Sequence, residues 1–172
     1  SNNTTPVSYI VFRDHEKKDN IAQQFATSNT GYLTKMRVKI ARTAYTTSWG
    51  DLVFRVRPNT LVNGKYVPDT SQTLGSPITI AGGNVATTFP VFNSAENIPW
   101  FDLDFSSQYI PIRAGQPYWL EMHAEGCSGD CARYLYVAAQ EGAAAQYPIT
   151  DAYDTVLGGK RSMVLWSQNN DG

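Results

Sequence analysis

Two carboxylates, two residues apart, are the first feature of this sequence with chemistry in it. Asp102 and Asp104 alternate with Phe101, Leu103 and Phe105. Successive strand side chains point to opposite faces, so the two acids share one side. Paired carboxylates cleave glycosidic bonds when one is kept protonated as the acid and the other stays ionised. A solvated strand face over a buried one gives the same alternation, and that plainer reading is preferred, so no catalytic residue is assigned. Nucleophilic catalysis needs a base beside the nucleophile. The chain has only His15 and His123 and no Gly-x-Ser-x-Gly elbow. Walker loops, dinucleotide fingerprints, His-Glu-x-x-His helices and EF-hand loops are also absent from the sequence. The expectation is a protein that binds rather than one that catalyses.

Aromatic side chains carry the binding expectation. If Phe101, Leu103 and Phe105 point inward, Trp100, Asp102 and Asp104 point outward; if Tyr118, Leu120 and Met122 point inward, Trp119, Glu121 and His123 point outward. Sugar rings offer apolar C–H faces that pack on flat aromatics and hydroxyls that pair with carboxylates, so a face mixing tryptophan with charge suits carbohydrate. The opposite phase of the 118–123 strand would bury Trp119 and expose Tyr118. A second cluster, Tyr45-Thr-Thr-Ser-Trp49, falls in a loop between two well-marked strands, where binding residues are common. The candidate ligand-binding residues are therefore Trp119, Glu121, Trp100, Asp102, Trp49 and Tyr45, with Trp119 foremost.

Metal chemistry is less well supported. Asp14, Glu16, Asp19 and Asn20 place oxygen ligands in one loop, and Asp151 and Asp154 place more elsewhere, but Lys17 and Lys18 interrupt the first set and would compete with a cation. No cofactor is expected, with structural calcium as the alternative. Cys127 and Cys131, the only cysteines, flank Ser-Gly-Asp in a glycine-containing run that permits a tight reversal. A loop-pinning disulfide is expected, with free thiols as the next alternative; a zinc site would need two further ligands, and only His15 and His123 could join the cysteines. A closed disulfide fits an oxidising, extracytoplasmic setting.

The elements that must position these residues are strands. In Lys35–Ile40, Met36, Val38 and Ile40 fall on one face and Lys35, Arg37 and Lys39 on the other; Asp51–Arg57 repeats the pattern, with Pro58-Asn59 expected to close it. Further runs are Val7–Phe12, Ile21–Ala26, Pro77–Ile80, Val85–Val91, Trp100–Phe105, Tyr118–Ala124, Tyr134–Ala139 and Ser162–Trp166. Turn signals separate them: Asn63-Gly64, Gly82-Gly83-Asn84, Ala114-Gly115 and Gly158-Gly159. Only the alanine-rich Glu141–Gln146 suggests a turn or two of helix, stopped by Tyr147-Pro148. The expected fold is all-β, a two-sheet antiparallel sandwich of jelly-roll type, forming one domain over residues 1–172.

Composition narrows the partners. Of 172 residues only 17% are charged, and 14 Lys plus Arg nearly balance 15 Asp plus Glu. That balance removes the electrostatic case for nucleic acid, and no apolar run approaches the roughly 18 residues that span a bilayer. The opening Ser-Asn-Asn-Thr-Thr-Pro-Val-Ser-Tyr has no signal-peptide pattern, so a mature secreted protein or a module of a longer one is expected.

The succession Ile21–Phe25, Gly31–Ile40, Gly50–Val56, Trp100–Phe105 and Ile112–Leu120 resembles jelly-roll modules of secreted and cell-surface bacterial proteins and phage particles, many of them similar to carbohydrate-binding modules. The resemblance covers roughly residues 20–140 and implies a fold more than a ligand. Under it, a carbohydrate-binding module acting on a polysaccharide or glycan comes first. A structural or receptor-binding domain of a phage particle, fibre or adhesin, possible as an oligomer, comes second, and a glycoside hydrolase third. Each implies a secreted, cell-surface or virion location.

Overall fold

The computed structural model of the chain describes residues 9–13, 20–42, 50–85, 100–126, 133–137 and 165–168. Among them the fold is all-β: strands, with short 3-10 turns at Gly82–Asn84 and Ser106–Gln108, and no α-helix. The strands are β1 (Tyr9–Arg13), β2 (Asn20–Phe25), β3 (Gly31–Leu33), β4 (Lys35–Arg42), β5 (Asp51–Val62), β6 (Lys65–Pro68), β7 (Leu74–Ile80), β8 (Trp100–Asp104), β9 (Ile110–Ile112), β10 (Tyr118–Glu125), β11 (Arg133–Val137) and β12 (Leu165–Gln168).

They form a four-stranded sheet in the order β1-β11-β4-β8, a sheet in the order β12-β2-β10-β5-β6 with β7 also paired to β5, and a small β3-β9 sheet. Period-two alternation shows why one core serves all three. Val38 and Ile40 of β4 and Leu103 of β8 pack in the same cluster as Leu52, Phe54 and Val56 of β5, Tyr118, Leu120 and Met122 of β10, and Leu33, Ile110 and Ile112 of β3 and β9. Each fully buried side chain of this kind contributes roughly 1.5–3 kcal/mol, and together they fix strand register, because a one-residue slip would turn every apolar side chain to the other face.

Proline does not end β5 where the sequence suggests. The strand runs through Pro58-Asn59 to Val62, because at Pro58 the pairing changes hands: the β10 ladder ends at Tyr118 opposite Pro58, while β6 takes over from Asn59. A residue without an N–H is tolerated where one ladder stops. Beyond it, Asn63 and Gly64 both have positive φ, 51° and 76°, as a two-residue hairpin turn of the I′ type requires. The short strands β3, β6 and β9 have no alternating run long enough to reveal them. Most of the expected 85–91 strand, the 141–146 helical turn and Gly158-Gly159 lie outside the described residues.

Candidate functional site

Strand phase on β10 is as the alternation predicts, with Tyr118, Leu120 and Met122 in the shared core, but the other face is not open. Trp119 is 0% exposed and Glu121 1% exposed. Strand β10 is interior to its sheet, so Trp119 is flanked by Gln24 of β2 and Arg57 of β5, and its indole Nε1 donates to Asn59 Oδ1 at 2.8 Å. Ala22, Gln24 and Val53, on the same side, are buried as well. The expectation of Trp119 as an exposed stacking platform and Glu121 as a free hydroxyl acceptor is therefore corrected: pointing away from the core is not the same as facing water.

Glu121 is committed to Arg57, whose Nε donates to Oε2 at 3.1 Å and Nη2 to Oε1 at 2.9 Å. The remaining guanidinium nitrogen, Nη1, reaches the carbonyl of Gln72 and the hydroxyl of Thr73, both at 2.7 Å, so this pair also anchors the turn between β6 and β7. One step along β10, Arg55 Nη1 lies 2.9 Å from His123 Nδ1, and His123 Nε2 lies 2.8 Å from Glu125 Oε1. Both contacts are met by the neutral tautomer that carries its proton on Nε2. Burial, followed by the Arg55 charge, holds the His123 pKa below its ordinary value against the pull of Glu125. Burial alone would raise the Glu125 carboxyl, but the His123 hydrogen bond and the Arg55 charge bring it down.

The surviving expected residues lie on the β4–β8 ladder, where Arg37 opposes Asp102 and Lys39 opposes Trp100. Asp102 is exposed and accepts from Lys35 Nζ at 3.1 Å and from Arg37 Nε at 2.9 Å. The Arg37 guanidinium sits 5.2 Å from the centroid of the half-buried Trp100 ring, a cation–π arrangement. Hydrogen bonding from Lys35 holds the Asp102 carboxyl below the usual carboxylate range, and hydrogen bonding from Ser106 does the same for Asp104. Neither carboxyl has the raised pKa of a glycosidase acid. What this ladder offers is an accessible strip of aromatic, cationic and anionic groups.

Tyr32 and Tyr109, the most exposed large hydrophobic side chains among the described residues at 64% and 70%, have no counterpart among the residues expected from the sequence. Their rings meet edge to face, with centroids 5.9 Å apart and planes at 89°. Tyr109 has a φ of 52° at the end of the Ser106–Gln108 turn, an unusual backbone state for an aromatic residue. No alternation marks either one, since Tyr109 lies in a turn and β3 is only three residues long; the run Ser-Ser-Gln-Tyr was the one available signal.

Trp49, Tyr45, Cys127 and Cys131 lie outside the described residues, as do Asp14, Glu16, Asp19, Asp151 and Asp154 of the calcium alternative. Among the described residues no group of three or more His, Cys, Asp or Glu side chains is placed to hold a metal. Compared with family models, with curated proteins and with solved structures, the chain matches none.

Proposed function

We propose that this chain is a non-catalytic carbohydrate-binding domain, a two-sheet sandwich of jelly-roll type that works in secreted form or at a cell or virion surface. The observation that carries the reading is the accessible β4–β8 strip, where Trp100, Arg37, Asp102 and Lys35 are linked in one row. An aromatic ring beside paired charges offers a pyranose both a C–H packing surface and partners for its hydroxyls. The core shared by the four-stranded and larger sheets supports the sandwich, and the lowered carboxyls of Asp102 and Asp104 speak for binding over hydrolysis. The test is a glycan microarray with the full chain, alongside Trp100→Ala and Asp102→Asn. Selective binding that both substitutions weaken supports the reading, and an array with no bound glycan removes it.

A second reading, a structural or receptor-binding domain of a particle, fibre or adhesin, has its own observation. The β5–β6 hairpin leaves Leu61, Val62 and Tyr66 exposed, with Leu61 opposite Tyr66, and clustered exposed apolar groups mark association surfaces. Mass in solution separates the two. A defined oligomer converted to monomer by Leu61→Glu favours assembly, whereas a monomer that binds glycan favours the first reading.

A further inference from the structure

We propose that Tyr32 and Tyr109 form a corner-shaped subsite for one pyranose ring, an inference that rests on the carbohydrate reading above. With the rings at 89° and their centroids 5.9 Å apart, the edge of one tyrosine meets the face of the other, and the ring faces left uncovered meet at a right-angled corner. A sugar ring, apolar on its C–H face and hydroxylated around its rim, matches such a corner with two phenolic hydroxyls within reach. The exposed residues beside the pair in sequence or register are the small, polar Thr34, Ser106 and Ser107 and also Pro111, which lies opposite Tyr32, while Leu33 and Ile110, next to the two tyrosines in the chain, belong to the core.

The corner is held in place before any ligand arrives. Asp104 Oδ1 accepts from Ser106 N at 2.9 Å, opening the turn, and Gln108 N donates back to Phe105 O at 2.9 Å. Gln108 Oε1 accepts from Ser76 N at 2.8 Å, tying the turn to β7, while Ile110 on the far side of Tyr109 is buried. The left-handed backbone of Tyr109 is fixed on both sides, and a tyrosine kept exposed there costs conformational energy that a glycine or asparagine would largely avoid. Preorganised aromatic groups lose little entropy on binding. The subsite is also continuous with the strip on β4–β8: Phe105 N donates to Thr34 O at 2.9 Å, so the β3–β9 and β4–β8 pairs are joined at Thr34.

Affinity electrophoresis of the full chain through gels containing xylan, galactomannan, mixed-linkage glucan or pectin tests this. The variants are Tyr32→Ala, Tyr109→Asn, which keeps a residue tolerant of positive φ, and Trp100→Ala. The expected result is that a polysaccharide retarding the parent binds each tyrosine variant about tenfold or more weakly, with melting temperatures unchanged or higher. Retardation of both tyrosine variants equal to the parent, with Trp100→Ala released, overturns the subsite and leaves the carbohydrate reading standing. Where none of the four retards the parent, a glycan bound on the array takes their place with the same variants, and a parent that binds no glycan in either assay overturns both. Should Tyr109→Asn not fold, tyrosine ring signals in NMR spectra of the parent replace it: shifts on adding the retarding polysaccharide support the corner, and their absence overturns it.

Discussion

Arg57 and Glu121 face each other across β5 and β10 in a two-point ion pair, with nitrogen–oxygen distances of 3.1 and 2.9 Å, the carboxylate being 1% exposed and the guanidinium 12% exposed. Removing one member of such a pair strands a buried charge, which costs about 3–5 kcal/mol, whereas replacing both with apolar groups is often neutral. Glu121→Ala is therefore expected to lower the urea midpoint strongly, and Arg57→Met with Glu121→Met to recover most of the loss. A double variant no more stable than the single one would show that the pair itself, rather than the stranded charge, carries the energy.

Trp119 belongs to the same buried face, and its replacement separates folding from binding. Trp119→Ala leaves a cavity and is expected to destabilise by about 3–5 kcal/mol. Asn59→Ala removes only the acceptor of the indole N–H and is expected to cost about 1–3 kcal/mol. Thermal melts give the order of the two. A Trp119→Ala protein that melts with the parent would place the ring in solvent.

The contrast between Trp119 and Trp100 shows what the sequence could and could not convey. Alternation gave the correct phase for 118–123 and for 101–105, since Leu120, Met122, Leu103 and Phe105 are all buried. It cannot report whether the opposite face is covered, because that depends on side chains distant in sequence: Trp119 of β10 lies between Gln24 of β2 and Arg57 of β5 with its indole bonded to Asn59, while Asp102 of β8 stays exposed. Both tryptophans read alike in sequence, yet one is core and the other half-open. Tyr32 and Tyr109 stayed hidden for a different reason. Their exposure comes from a short strand and a turn residue with positive φ, and neither has a period to read.

Glycine gives a prediction at two positions with opposite surroundings, the hairpin turn at Gly64 and the start of β7 at Gly75. Both Gly64 and Gly75 have positive φ, 76° and 71°, but a Cβ at Gly64 meets open space, whereas one at Gly75 collides with Gln108 Oε1 and lies 2.8 Å from Ile110 Cδ1. Gly64→Ala is expected to cost about 1–2 kcal/mol from backbone strain alone. Gly75→Ala adds steric overlap and displaces the Gln108 side chain that holds Ser76, for a total of roughly 2–5 kcal/mol. Equal melting temperatures for the two variants would mean that the turn beside Tyr109 yields freely.

His123 sets the acid side of the stability profile. Its imidazole, ordinarily titrating near 6.5, is held lower by burial and by Arg55, with Glu125 and Glu121 pulling the other way. Above that pH the ring is neutral in both folded and unfolded chains, and its contribution is flat. As the pH falls through the unfolded value, the unfolded chain takes up a proton that the folded one refuses, so stability declines and levels off only below the folded pKa. The carboxyls of Asp69, Asp102, Asp104 and Glu125 are also lowered, from ordinary values of 3.8 for the aspartates and 4.5 for the glutamate, so their stabilisation is lost in a separate, more acidic step. The parent should lose stability in two stages on acidification. His123→Gln should remove the first stage and keep the second. Urea midpoints measured from pH 7.5 to 3 (about one point per half unit) decide it: a His123→Gln profile parallel to the parent's at every pH would place the imidazole in solvent rather than against Arg55.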